Sequence, residues 1–253
     1  MLWTRAEIKE RAKTALRGSY WKAFLVTIIL LIAGAEGGSG GGSASGANNS
    51  RNMDIENNIK NMVVDNVAPY ITTILAVSFI IILLAFLFRI FVGYPLEVGS
   101  RRYFVRAAKK DIDLGNVGFS FKNKRYMNTI KAMLYKSVLI ILWTLLLIIP
   151  GIIKSYAYRM VPYILADNPE ISHKRAIEMS NAMTNGQKFN IFVLELSFLG
   201  WYILGALALG IGVLFVHPYV NATEAELYLV LRQEAIDTGI CSPEELNIGE
   251  FIK

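Results

Sequence analysis

The sequence predicts an all-α, polytopic membrane protein, and three observations predict it. Of the 253 residues, 54% are apolar and 18% charged, and the mean hydropathy is +0.41; a soluble domain of this length needs more polar surface. Uncharged runs occupy residues 23–35, 66–88, 137–153 and 196–216. A helix needs about 20 apolar residues to cross ~30 Å of hydrocarbon, and the two shorter runs reach that length once Lys22, Lys136 or Lys154 snorkels to the headgroups. The basic residues, finally, are unevenly placed. Residues 97–136 hold ten Lys/Arg and three acids, residues 1–22 hold six and two, and residues 36–69 hold two bases against four acids. The positive-inside rule puts the first two segments in the cytoplasm and the intervening loop outside.

The elements follow in chain order. Thr4 and Glu7 have capping-box spacing, with Trp3 and Ile8 placed as a hydrophobic staple. Ile8, Ala12, Ala15 and Leu16 share one face, Arg5, Lys9, Arg11, Lys13 and Arg17 surround it, and Gly18 can end the helix. Residues 1–18 therefore read as a cytoplasmic basic amphipathic helix suited to an anionic inner leaflet; the plainer alternative is a solvated charged helix. Tyr20 and Trp21 follow as interfacial anchors. The basic start, apolar run and Ala33-Gly34-Ala35 also fit a cleaved signal. The capped helix upstream and the later spans argue for retention.

Residues 36–52 form an external Gly/Ser-rich loop without a phosphate-binding pattern, and residues 53–67 fit a short helix. Residues 97–136 read as a basic cytoplasmic loop whose last part, 126–136, is helical. Around residues 169–186, Ser172 is placed as a cap, with Ala176, Ile177, Ser180 and Met183 on one face and Gly186 at the end. The membrane domain is expected over residues 19–231 and an acidic cytoplasmic tail over 232–253.

The stretch LLLIIPGIIKSYAYRMVPYILADNP, residues 145–169, decides the topology. If Pro150-Gly151 kinks one span, there are four crossings, and Lys154 and Arg159 lie outside. If it turns the chain, residues 152–166 cross back, and the third and fourth apolar stretches each become a hairpin. Lys174, Arg175 and Lys188 are then cytoplasmic, but Arg159 sits at membrane depth, where a cation costs ~2.5–3.5 kcal/mol on the insertion scale.

Several stretches resemble the bacterial membrane-protein family called domain of unknown function 975: ALRGSYWKAF (15–24), IIPGIIKSYAYRMVPYILADNPE (148–170), SNAMTNG (180–186), LSFLGW (196–201) and HPYVNATEAELYLVL (217–231). More distantly, the P-G-I-I…P…L…D pattern resembles the membrane domain attached to some glycerophosphodiester phosphodiesterases. This resemblance implies six crossings in three hairpins, both ends in the cytoplasm, and location in the bacterial cytoplasmic membrane. It implies no biochemical activity.

In that topology Lys154, Arg159, Glu195, His217 and Glu224 form a candidate polar seam at membrane depth, with Asn221 beside it and Tyr156, Tyr158 and Tyr163 as an aromatic lining. Intramembrane charges pair or face a cavity. The functional reading is a site for an anionic headgroup with Arg159 as the forked donor. The favoured reading is an internal ion pair that fixes packing, with Glu195 as the partner ahead of Glu224. No residue set points to a catalytic, cofactor or metal site. Cys241 lacks a disulfide partner, His173 and His217 lack second ligands, and Asp111 and Asp113 are too few acids for a cation. The net charge of +6 points to anionic lipid rather than nucleic acid.

Three function classes follow. The first is a non-catalytic accessory protein of the envelope or of a membrane complex, with a protein partner or a second copy. The second is a transporter or flippase of a lipid or other amphiphile. A membrane enzyme comes last, because it needs convergent acid, base or metal groups.

Overall fold

The computed structural model describes residues 3–34, 68–207 and 212–248, and every regular element among them is helical. The expected external loop at 36–52, the short helix at 53–67, Gly210 and the last residues of the tail lie outside the described residues. Among the described residues, three stretches are long and apolar enough to cross a membrane: Tyr70–Ala108, Arg125–Leu146 and Lys188–Leu207. A fourth is available if the first two helices, bent by 106° at their junction, count as one span.

The chain divides into two compact units. The smaller, residues 37–90, contributes α3 (Ala68–Phe88), which is apolar on every side rather than along one stripe. A helix of that kind is buried in a large core or faces lipid.

The larger unit begins with α1 (Arg5–Leu16). The Thr4 hydroxyl accepts from the Glu7 N–H at 3.2 Å, which caps it, and Gly18 with φ +81° ends it. Its apolar face, Ile8, Ala12 and Leu16, is buried. That face packs on α4 (Tyr94–Ala108) and α11 (Gly212–Asp237). The face is used inside the protein, and the basic residues Arg5, Arg11, Lys13 and Arg17 stay exposed. In α2 (Tyr20–Ile32), Ala23, Val26, Thr27 and Leu30 face the same two helices, while Trp21 and Leu25 are exposed.

The basic segment at 97–136 is not a loop. It contains α4, a 3-10 helix (Leu114–Phe121) and the start of α5 (Asn123–Leu146). Pro95 lies in the first turn of α4, where a missing N–H costs least. The Phe91 carbonyl, four residues earlier, accepts from the Tyr126 hydroxyl at 2.8 Å. Almost all of α4 is buried, including Glu97, Arg101 and Arg102. Gly99 allows this: a Cβ there would sit 1.9 Å from the Val117 carbonyl oxygen of the 3-10 helix. Of the two acids weighed as a cation site, Asp111 pairs with Arg106 at 2.7 Å and Asp113 caps the 3-10 helix by accepting from Gly115 N.

The chain turns at Leu147, three residues before Pro150-Gly151. After α5, Leu147 is extended and α6 (Ile148–Ala157) begins. Pro150 occupies its first turn, where the absent N–H has no intrahelical partner to lose. A Cβ on Gly151 would lie 2.3 Å from Thr144 Oγ1 and 2.7 Å from Thr144 Cα. Residues seven apart in one straight helix are about 10 Å apart along the axis, so α6 doubles back along α5. The second reversal has the same device: a Cβ on Gly205 of α10 (Leu199–Leu207) would lie 2.7 Å from Val213 N of α11. Between them run α7 (Val161–Asp167), α8 (His173–Met183) and α9 (Lys188–Leu196). Ser172 caps α8, and Gly186 follows with φ +73°. Past α11, which runs beyond the expected boundary at 231, the tail is docked through Cys241 and Leu246, both buried.

Candidate functional site

The site begins at a break. Between α6 and α7, Tyr158, Arg159 and Met160 are not helical. A buried break exposes backbone groups that need partners. Ser180 of α8 supplies two at once: its hydroxyl donates to the Ala157 carbonyl at 2.8 Å and accepts from Met160 N at 3.1 Å. Thr184 adds a second donor to the Ala157 carbonyl at 3.3 Å. Ser180, Ala157 and Thr184 are all buried. The Ser-Asn-Ala-Met-Thr segment thus fastens the interruption that aims Arg159.

The Arg159 guanidinium reaches two carboxylates. One nitrogen pairs with Glu195 of α9 and, at 2.5 Å, with Glu224 of α11. The other oxygen of Glu224 accepts from the Tyr163 hydroxyl at 3.1 Å and lies 3.1 Å from Arg101 Nη1. Arg101 also donates to Asn221 Oδ1 at 2.5 Å, and Asn221 Nδ2 is 3.5 Å from Thr27 Oγ1. The Tyr156 hydroxyl donates to Glu195. Side chains from α2, α4, α6, α7, α9 and α11 therefore meet at the break. Two arginines face two glutamates, so the formal charges cancel. Glu224, 13% exposed, is deeper than Glu195 at 37%.

Of the expected seam, the structure gathers Arg159, Glu195, Glu224, Tyr156 and Tyr163. Both carboxylates, rather than Glu195 alone, meet Arg159. Lys154 turns to other rings, its nitrogen 5.1 Å from the centre of Trp143 and 5.7 Å from that of Tyr158. His217 lies edge-on to Tyr202.

Arg101 is hidden from sequence reasoning because it lies in a segment whose composition reads as a loop. One signal could have found it: Tyr94, Val98, Arg101 and Val105 share a helical stripe whose other members are apolar, and a charge on such a stripe is buried against a partner. Arg102, in the same segment, is hidden for the same reason and belongs to a second cluster. Asp167, at the end of α7, accepts from Tyr228 and from Arg232, each at 2.7 Å. Arg102 donates to the Ala166 carbonyl and to Asn116, its guanidinium 3.6 Å from the centre of the Phe119 ring. A cation on the last carbonyls of a helix is favourably placed. Burial, and then the nearby Arg232, hold the Lys109 ammonium below its usual range.

Comparison with known proteins yields one match. A family model described as a protein of unknown function (DUF975) matches residues 47–235. No curated protein and no solved structure matches, so the likeness to phosphodiesterase membrane domains rests on the sequence pattern alone.

Proposed function

Because the chain belongs to the DUF975 family, described only as of unknown function, we propose its role from its own residues: a non-catalytic integral membrane protein, an accessory part of the envelope or of a membrane complex. The observation that carries this reading is the balanced cluster at the helix break. Arg159 and Arg101 are engaged by Glu195, Glu224, Asn221 and Tyr163, and every charge answers another within the protein. A site that takes an anionic substrate needs positive charge left over for it; this one uses its cations in helix packing. The matching topology has six crossings in three hairpins, both ends in the cytoplasm of a bacterium. It is supported by the reversal at Gly151 and by the basic segments at 1–22 and 97–136.

The test is affinity purification of the tagged full chain in mild detergent after crosslinking in intact membranes. Recovery of a stable stoichiometric partner supports the reading. A purified chain that by itself moves a fluorescent lipid across liposomes overturns it. That outcome would favour the second reading, transport of a lipid or other amphiphile, whose support is the interrupted backbone at Leu147 and at Tyr158–Met160.

A further inference from the structure

One cavity combines the two halves of an amphiphile's chemistry. An apolar groove of about 730 Å³ runs between the end of α1, the start of α2 and the α10–α11 hairpin, within the range of ligand pockets, ~300–1,000 Å³. Trp201, Leu204, Phe215 and Val216 wall it. Gly205 and Gly212, which touch each other, contribute no side chain to fill it. Lys13 and Arg17 also line it.

We propose that this groove is a binding site for one anionic phospholipid, with an acyl chain along the hairpin and the phosphate between Lys13 and Arg17. The argument is charge complementarity on an apolar surface. Trp201 and Leu204 are more than half exposed, so the wall is open to the acyl chains of a bilayer. Tyr20 holds the rim in place, because its hydroxyl donates to the Phe215 carbonyl at 2.9 Å. The cations are available to a ligand: among the described residues, Lys13 is held only by an exposed pair with Glu10 at 3.2 Å, the kind worth little in water, and Arg17 makes no ion pair. The two lie four residues apart, on neighbouring positions of the helix surface as it ends, so one phosphate can meet both. The placement of α1 gives its basic face a use. With its apolar face packed on α4 and α11, the helix carries its cations to the mouth of a groove. This site is separate from the cluster at Arg159 and does not depend on the accessory reading.

The test uses the full chain with Trp201 as the only tryptophan (Trp3, Trp21 and Trp143 replaced by Phe), reconstituted in vesicles of phosphatidylcholine with increasing brominated phosphatidylglycerol or, separately, brominated phosphatidylcholine. The anionic lipid should quench Trp201 at lower mole fraction than the neutral one. Two basic residues near an anionic surface give up to about 30-fold in binding, and Lys13→Gln with Arg17→Gln should remove most of the difference. Val216→Phe, which narrows the groove, should weaken quenching by both lipids. Arg5→Gln with Lys174→Gln removes the same charge elsewhere and should leave the preference intact; their thermal midpoints report that the variants fold. Equal quenching by the two lipids in the parent overturns the proposal, as does an equal loss of preference in the Arg5/Lys174 variant.

Discussion

Arg159 and Arg175 perform the same act in two settings. Each reaches carboxylates far away in the chain and joins elements that local sequence does not. Arg175 grips Glu245 with two nitrogens, at 2.6 and 3.0 Å, and donates to the Ile240 carbonyl at 2.7 Å, which ties α8 to the tail. Arg159 meets Glu195 and Glu224 at a helix break. Arg175 and Glu245 are 38% and 28% exposed, against 21% for Arg159 and 13% for Glu224. Geometry alone would rank Arg175 first, since a forked pair is the stronger one. Solvent reverses the order. Water compensates a lost partner at the surface, whereas a charge left at the break has no substitute.

The largest way to break this comparison is to leave the inner cluster half-made. Arg159→Met or Glu224→Gln should each destabilise by ~3–5 kcal/mol, the scale for a buried pair that loses one member. Glu195→Gln should cost less, because Glu195 is more exposed. The Arg159→Met/Glu224→Gln double variant should lose less than the sum of the singles. Thermal unfolding in detergent measures all four, and small additive losses would mean a solvated arginine.

The next tests concern what holds the cluster in position. Gly151→Ala and Gly205→Ala place a methyl against backbone atoms at 2.7 Å and should cost ~1–3 kcal/mol by overpacking. Gly200→Ala, with nothing within 4 Å, should be neutral or slightly stabilising. Equal thermal midpoints for the three would refute the close hairpins. Ser180→Ala strands the Met160 N–H at the break and leaves the Ala157 carbonyl only the longer bond from Thr184. It should cost ~1–3 kcal/mol, and Ser180→Thr should recover less than full stability because the extra methyl enters a buried site.

The smallest effect belongs to the outer arginine. Arg175→Gln should change stability by ~0.2–1 kcal/mol, and its action should depend on pH in a defined sense. The hydrogen bond from Arg175 holds the Glu245 carboxyl below its ordinary value. A depressed carboxylate contributes stability that is complete above its unfolded value, about 4.3, and is lost as pH falls through the lower folded value. The readout is Cys241, 5% exposed under the tail, probed with a pyridyl disulfide that reacts in acid. Labelling should speed up as pH drops below about 4, and in Arg175→Gln it should already be faster at neutral pH. A pH-independent rate identical in both proteins would detach the clamp from the tail.

What the residues determined by themselves was local or compositional. Thr4 and Ser172 cap because a hydroxyl reaches an N–H three residues on. Gly18 and Gly186 end helices because the left-handed turn there needs no Cβ. Residues 68–88 form an apolar helix whatever surrounds them. The buried face of α8 and the arginine that needed an acid were legible in the same way, through spacing and cost. Tertiary structure decided the rest. Residues 97–136 looked like a basic loop because the partners that let Arg101 and Arg102 be buried, Glu224, Asn221 and the Ala166 carbonyl, lie far away in the chain. Only packing brings them close. Packing also chose Glu224 as well as Glu195 for Arg159, sent Lys154 to Trp143, and laid the apolar face of α1 on α4 and α11. The physical reason is common to all four: a side chain's charge and shape state that it needs a partner, but which partner depends on helices crossing at a point no local pattern encodes.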